Sequence, residues 1–225
     1  DAIGDFVMWL DTAKEYRNIF PPDKYKIVLA GNKVWCDLAE ELTFWDMILM
    51  VDVKQFKKIS RYRWDFLQKV RNLGVQISIQ PTFSREFYHG DALVQASGAL
   101  RKVSSAGDMA NRNWLKQFIA DSWHTELIPA STEPLTELER NAEFFSGLTD
   151  YPHLTSYPKL DIPEFWLSSE WKEKIFYILV PGTSGAVAGK EWPPACFSDI
   201  ATKVFRQTGW EGLICGTKQE HSLGE

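Results

Sequence analysis

Apolar positions recur at two periods along the chain, and the switching between those periods predicts its elements. Ile3, Val7, Leu10 and Ala13 repeat at helical spacing, with Asp11, Lys14 and Glu15 on the other side. Gly4-Asp5 stands where an N-cap belongs, and Pro21-Pro22 closes the helix. Tyr25 to Ala30 predicts a short strand ending at Gly31-Asn32, Val34 to Leu42 a second helix, and Met47 to Val51 a second strand. A long basic helix is predicted over Lys54 to Leu73, stopped by Gly74, before a third strand from Val75 to Ile79. Strand, helix, strand, helix with short connections implies a parallel sheet covered on both faces.

Beyond Pro81 the spacing predicts a helix from Arg85 to Ser97 and a strand from Lys102 to Ser105, then an irregular tract. Ser131 is the expected cap of a helix carrying Leu135, Leu138, Ala142 and Phe145 and ending at Gly147. Tyr151 to Glu173 holds Pro152, Pro158 and Pro163 without a period, which reads as an interdomain linker. A second alternation follows. Phe176 to Val180 is an apolar strand that breaks at Pro181-Gly182. A helix with Pro193 or Pro194 in its first turn keeps Cys196, Ile200, Ala201, Val204 and Phe205 on one side, and a last strand lies at Leu213. The expected organisation is a first α/β lobe over 1–150, a linker over 151–174 and the start of a second lobe over 175–225.

Composition narrows this picture. At 225 residues and 44% hydrophobic content the chain can bury one or two cores. A net charge of −5 argues against a general nucleic-acid binder. Cys36, Cys196 and Cys215 are widely separated, so reduced thiols are expected rather than a metal site or a disulfide framework. The histidines (His89, His124, His153, His221) have no metal-ligand spacing, and no bound metal or cofactor is expected. Ten tryptophans leave some for a binding surface. No apolar run reaches membrane-spanning length, and nothing resembles a signal peptide. Asp1-Ala-Ile-Gly-Asp5 begins like the turn after a strand, and Glu225 closely follows a strand-like stretch, so a piece of a longer protein is expected.

Two stretches carry candidate chemistry. In Pro181-Gly-Thr-Ser-Gly-Ala-Val-Ala-Gly-Lys-Glu-Trp-Pro193 a strand opens through small residues onto a helix head. Free backbone N–H groups and a positive dipole end suit an anion, and Lys190, Thr183 and Ser184 add a charge and two hydroxyls. A flexible surface loop with a solvated lysine is the alternative. The loop lacks both GxGxxG spacing and GK[ST]. In Lys54 to Arg71, seven cations face the single acid Asp65, with Phe56, Tyr62, Trp64 and Phe66 interleaved. Such a stretch suits a solvated helix face, or contact with anionic lipid or a phosphorylated glycolipid.

Taken in order, Asp1-Ala-Ile-Gly-Asp-Phe-Val7 and the Pro-Gly-Thr-Ser…Lys-Glu-Trp-Pro segment resemble the family 9 glycosyltransferases, the ADP-heptose:lipopolysaccharide heptosyltransferases among them. Leu138-Glu-Arg-Asn-Ala-Glu-Phe144 and Cys215-Gly-Thr-Lys-Gln-Glu220 resemble further family segments, while the middle third matches in pattern only. The resemblance implies a GT-B fold, two Rossmann-like lobes with parallel sheets, the second incomplete here. It implies an inverting, metal-independent transfer from an ADP-heptose-like donor to a lipopolysaccharide or other envelope glycan. The enzyme is then expected to be cytoplasmic, at the inner face of the membrane, and this chain alone inactive.

Within that resemblance Asp5 is the expected base, with a plain N-cap as the alternative. Thr183, Ser184 and Lys190 would hold the donor diphosphate. Glu220 would accept from ribose hydroxyls or stand as a solvated loop carboxylate. Ser84 and Arg85, past the carboxyl end of a strand, are expected at the acceptor, although Arg85 equally suits a helix start. Two rivals remain open: a nucleotide-dependent oxidoreductase and a non-catalytic sugar- or nucleotide-binding module.

Overall fold

The computed structural model describes residues 2–160, 168–182 and 192–217. The chain divides into two compact units, Asp1–Asp161 and Ile162–Glu225. The first begins with α1 (Ile3–Ala13) and α2 (Tyr16–Ile19). It continues through β1 (Val28–Asn32), α3 (Lys33–Glu40), β2 (Met47–Val51), α4 (Val53–Phe56), α5 (Arg61–Asn72) and β3 (Ile77–Gln80). A π-helical turn, Phe87–Asp91, leads into α6 (Ala92–Ser97), followed by β4 (Arg101–Ser105), α7 (Trp114–Ser122), β5 (Glu126–Ile128) and α8 (Glu137–Thr149).

All described strand pairs are parallel. β1 pairs with β2, Val28 opposite Met47, and β3, β4 and β5 form a second sheet with Ile77 opposite Arg101 and Val103 opposite Glu126. Alternate residues of β1 and β2 enter different cores. Leu29 and Ile48 pack with Phe6, Leu10, Trp35 and Cys36 of α1 and α3, whereas Val28, Leu49 and Val51 pack with Phe56, Phe66 and Val70 of α4 and α5. The sheet is thus covered on both faces, as a period-2 strand between two helix layers requires. Val103, Ile128 and Ile79 of the second sheet lie under Phe144, Phe145 and Leu148 of α8.

Aromatic rings dominate the first core. Phe6 stacks on Trp35 at 4.1 Å, Trp9 on Trp45 at 6.0 Å, and the Trp45 indole N–H donates to the Ala39 carbonyl at 2.8 Å. Burial of each such side chain contributes roughly 1.5–3 kcal/mol. Gly31 is where the Trp35 ring meets β1, since a Cβ there would lie 2.0 Å from it. The Cys36 thiol is fully buried, and burial, with Glu40 and Asp37 adding to it, pushes it up to about 11. It is therefore a structural thiol rather than a nucleophile.

Several elements differ from the expected ones. Lys54 to Leu73 is two helices, because Ser60 breaks the run and caps α5, its hydroxyl accepting from the Arg63 N–H at 3.3 Å. The tract read as irregular holds α7, capped by Asn113, and the three-residue β5, too short to show alternation. The cap of α8 is Thr136, not Ser131; Thr136 and Glu139 form a reciprocal capping box.

The first ten residues of the expected linker pack on this unit. The buried Asp11 accepts from the Ser156 N–H at 2.7 Å and from the Ser156 hydroxyl. Burial raises the Asp11 carboxyl, but the Ser156 bonds and Lys14 outweigh it and hold it below the usual aspartate range. His153 packs against Phe145 and Leu160 reaches the α1–α3 core.

The second unit contains α9 (Ser169–Lys172), β6 (Phe176–Leu179), α10 (Pro194–Thr208) and β7 (Glu211–Ile214), with β6 and β7 parallel, Phe176 opposite Glu211. Pro194 occupies the first turn of α10, as its fixed φ and missing N–H favour, and the helix closes on Gly209 at φ 72°. Tyr177 donates to the Ala201 carbonyl at 3.3 Å, fastening β6 to α10.

Candidate functional site

In parallel sheets the helix heads that follow strands gather at the carboxyl edge, where ligands bind. α8 leaves the carboxyl end of β5, so Thr136 and Glu137 lie at that edge. Asp5, at the head of α1, is their electrostatic neighbour. The Glu137 carboxyl is raised above the usual glutamate range, first by partial desolvation and then by the Asp5 charge, with Arg140 opposing. Asp5 is exposed, and its Oδ2 accepts the Ala2 backbone N–H at 2.8 Å. Ala2, not Gly4 or Asp5, is the N-cap of α1; Asp5 is its third residue, presenting a carboxylate to solvent while one oxygen bonds back to the cap N–H. Glu137 was not singled out in the sequence. The Thr136-x-x-Glu139 capping box is the signal that places it in a first turn.

At the carboxyl edge of the β1–β2 sheet, Lys33 just past β1 meets Asp52 just past β2 at 2.5 Å. That ammonium, with the Gln55 side-chain amide and backbone N–H, holds the Asp52 carboxyl down at about 2. The loops after β3 and β4 are knit together. The Ser84 hydroxyl donates to Asp108 at 3.1 Å, the Asn111 amide donates to the Ser84 carbonyl at 2.9 Å, and Gly107 (φ 62°) sits where a Cβ would lie 2.0 Å from the Phe83 carbonyl. Arg140 lies over the Phe83 ring at 4.0 Å and donates to the Ser131 and Glu133 carbonyls, tying in the loop after β5. Ser84 thus stands half-buried at the edge.

Arg85 does not join Ser84 there. Its side chain is fully buried, 0% exposed, pairing with Asp121 and lying 3.7 Å from Asp91. An acceptor touching Arg85 is at odds with that burial; the residue instead fastens loops. Asp91 is the hub, with Arg112 at 3.6 Å and His124 at 3.8 Å, all with buried side chains. Arg112 also reaches the Ala106 and Asp108 carbonyls. His124 Nδ1 lies 2.8 Å from the Ala120 carbonyl, which can only accept, and 3.4 Å from an Arg85 guanidinium nitrogen, which can only donate; the shorter contact favours a proton on that nitrogen of His124. Burial, reinforced by Arg85, lowers His124 against the pull of that carbonyl, Asp91 and Asp121. With His124 neutral, two guanidiniums face two carboxylates and the cluster is balanced.

The π-helical turn that ends at Asp91 also carries His89, whose ring meets Phe56 edge-on at 5.8 Å. Burial depresses it to about 4. Between the unfolded value near 6.5 and that folded value only the unfolded chain takes up the proton, so stability falls as pH drops through this window. The loss attributable to His89 is about 3 kcal/mol by pH 4. His89→Phe is expected to flatten the urea midpoint against pH over this range; an unchanged slope would place the effect elsewhere.

Thr183, Ser184, Lys190 and Glu220 lie outside the described residues. What is described around them is the carboxyl end of β6 and the Pro194 head of the 15-residue α10. Trp192 packs edge-on against Phe197 at 5.3 Å. Among the described residues no group of three His, Cys, Asp or Glu side chains is arranged to hold a metal ion, and no helix is long and apolar enough to cross a membrane.

No known family model matches the sequence, and no curated protein is significantly similar to it. Solved structures do match. The glycosyl transferase family 9 protein from Veillonella parvula DSM 2008 superposes with a TM-score of 0.75 at 15% identity, covering 99% of this chain and 62% of that one. The E. coli ADP-heptose LPS heptosyltransferase II gives 0.64 at 15%, covering 99% and 64%. E. coli heptosyltransferase WaaC with ADP gives 0.67 at 13%, covering 99% and 67%. The chain thus spans about 62% of the length of the first of these structures and 67% of the last. At this identity what is shared is the fold: an α/β architecture of parallel sheets, of the GT-B type found in family 9 glycosyltransferases.

Proposed function

We propose that the chain is the greater part of a glycosyltransferase that moves a heptose-like sugar from a nucleotide-diphosphate donor to a lipopolysaccharide or other envelope glycan, with inversion and without a metal. The observation that carries this reading is the co-occurrence of two ordered motifs with a fold likeness over 99% of the chain to three sugar transferases. One neighbour is described as an ADP-heptose transferase and another was solved with ADP, which favours an adenine nucleotide-sugar as donor.

In this reading Asp5 removes the proton from an acceptor hydroxyl as its oxygen attacks the anomeric carbon. The bond from that carbon to the diphosphate oxygen breaks, and the departing diphosphate carries its charge to Lys190, the hydroxyls of Thr183 and Ser184, and the head of α10. Glu220 takes the ribose hydroxyls. Ser84, at the edge of the first unit, is the acceptor-side contact, and Arg85 keeps its loop in place from below. The enzyme works in the cytoplasm, where nucleotide-sugars are made, on an acceptor held at the inner face of the membrane.

Calorimetry with ADP tests the donor half. Lys190→Ala is expected to weaken ADP binding by about tenfold or more, the loss of one charge-assisted contact of roughly 1.5–3 kcal/mol. Unchanged binding would remove Lys190 from the site.

A further inference from the structure

Helix α7 is built inside out. Trp114 (72% exposed), Leu115 (48%), Phe118 (73%) and Ile119 (36%) occupy its outer face, while the inner side carries the small buried Ala120 and the cluster residue Asp121. At 100° per residue the four apolar side chains span less than half the helix circumference, so they form one continuous stripe facing solvent. A contiguous apolar patch of this kind marks an interaction surface rather than scattered exposure.

What lies beside the stripe identifies its partner. Lys116 of α7 sits over the Tyr88 ring at 4.8 Å. The Tyr88 carbonyl accepts from Arg63 at 2.5 Å, and Lys57 pairs with Glu86 at 2.9 Å. The turn bearing Tyr88 therefore joins α7 to the corner between α4 and α5. That corner projects Ile59, fully exposed, between the exposed Lys58 and Arg61. Lys57, Lys58, Arg61, Arg63 and Lys116 outnumber Glu86 and Asp65 on a chain whose net charge is −5. Aromatic side chains at headgroup depth, flanked by cations, are the chemistry of an anionic bilayer surface.

We propose that the outer face of α7 and the α4–α5 corner dock this protein on anionic phospholipid bilayers, the apolar stripe entering the interface and the cations meeting lipid phosphates. The basic stretch visible in the sequence supplies only the electrostatic half; α7 supplies the anchor. The inference stands apart from sugar transfer, because vesicle binding is measured with neither donor nor acceptor present.

The test is co-sedimentation of the 225-residue chain with phosphatidylcholine vesicles, with and without phosphatidylglycerol. Binding is expected to require phosphatidylglycerol and to weaken with salt. The double variant Trp114→Ser/Phe118→Ser is expected to lower it by about tenfold or more. Lys58→Glu and Arg61→Glu are expected to lower it by roughly fivefold each. All four side chains are exposed, and unchanged circular dichroism will confirm that the variants fold. No binding to anionic vesicles, or equal binding by the double variant, overturns the proposal. A dimer of the parent chain that the double variant dissociates, without vesicle binding, also overturns it and assigns the face to a second copy.

Discussion

Asp5→Asn is expected to lower sugar transfer by the full protein by about 10²–10⁴-fold, the usual contribution of a positioned general base. The same variant separates chemistry from architecture. Asp5 Oδ2 accepts the Ala2 N–H, and an asparagine carbonyl oxygen can take over that bond. What is lost structurally is the charge at the helix head, about 0.3–1 kcal/mol. Stability by urea denaturation should therefore move by no more than about 1 kcal/mol. ADP binding should persist, because none of the proposed diphosphate ligands changes. An active Asn variant would reduce Asp5 to a helix-head contact and place the base elsewhere, whereas a parent protein with no transfer activity to lose would favour the non-catalytic binding module.

Asp91→Asn is expected to cost about 3–5 kcal/mol of folding stability, roughly a fifth or more of what a typical domain possesses. The side chain is 0% exposed and stands within ion-pair distance of Arg85, Arg112 and His124, whose side chains are also buried. Removing its charge leaves two guanidiniums opposite Asp121 alone, which is 29% exposed. Asp121→Asn should cost less, since solvent partly screens that carboxylate. Urea unfolding of both variants checks the ordering. Equal and small losses would mean that the loops after β3 and β4 are held by their mutual hydrogen bonds rather than by the buried charges.

Periodicity made the strand and helix alternation readable, and β2 falls where Met47 to Val51 were expected. Strands buried on both faces are short continuous apolar runs, and such runs stand out in sequence. The misreadings have local causes. Ser60 and Asn113 are ordinary polar residues until their side chains are seen to cap a helix, so α5 was merged with α4 and α7 was missed. α7 was harder still, because its apolar stripe points outward and its polar Asp121 inward, the reverse of the pattern that helix reading relies on. Asp5 was legible from its place ahead of an apolar repeat. Its neighbour Glu137 was not, since nothing in sequence brings together two helix heads separated by most of the first unit. Arg85 shows the opposite failure: a residue just past a strand end was expected at the ligand, and tertiary packing turned it inward to Asp91 and Asp121.

The most direct measurement is ADP release from ADP-heptose by the full protein, followed together with extension of a heptose-acceptor glycan. The expected result is ADP and elongated glycan formed in equal amounts, with both lost in Asp5→Asn. Nucleotide that binds but is never released as ADP in the presence of acceptor would contradict the transferase reading outright.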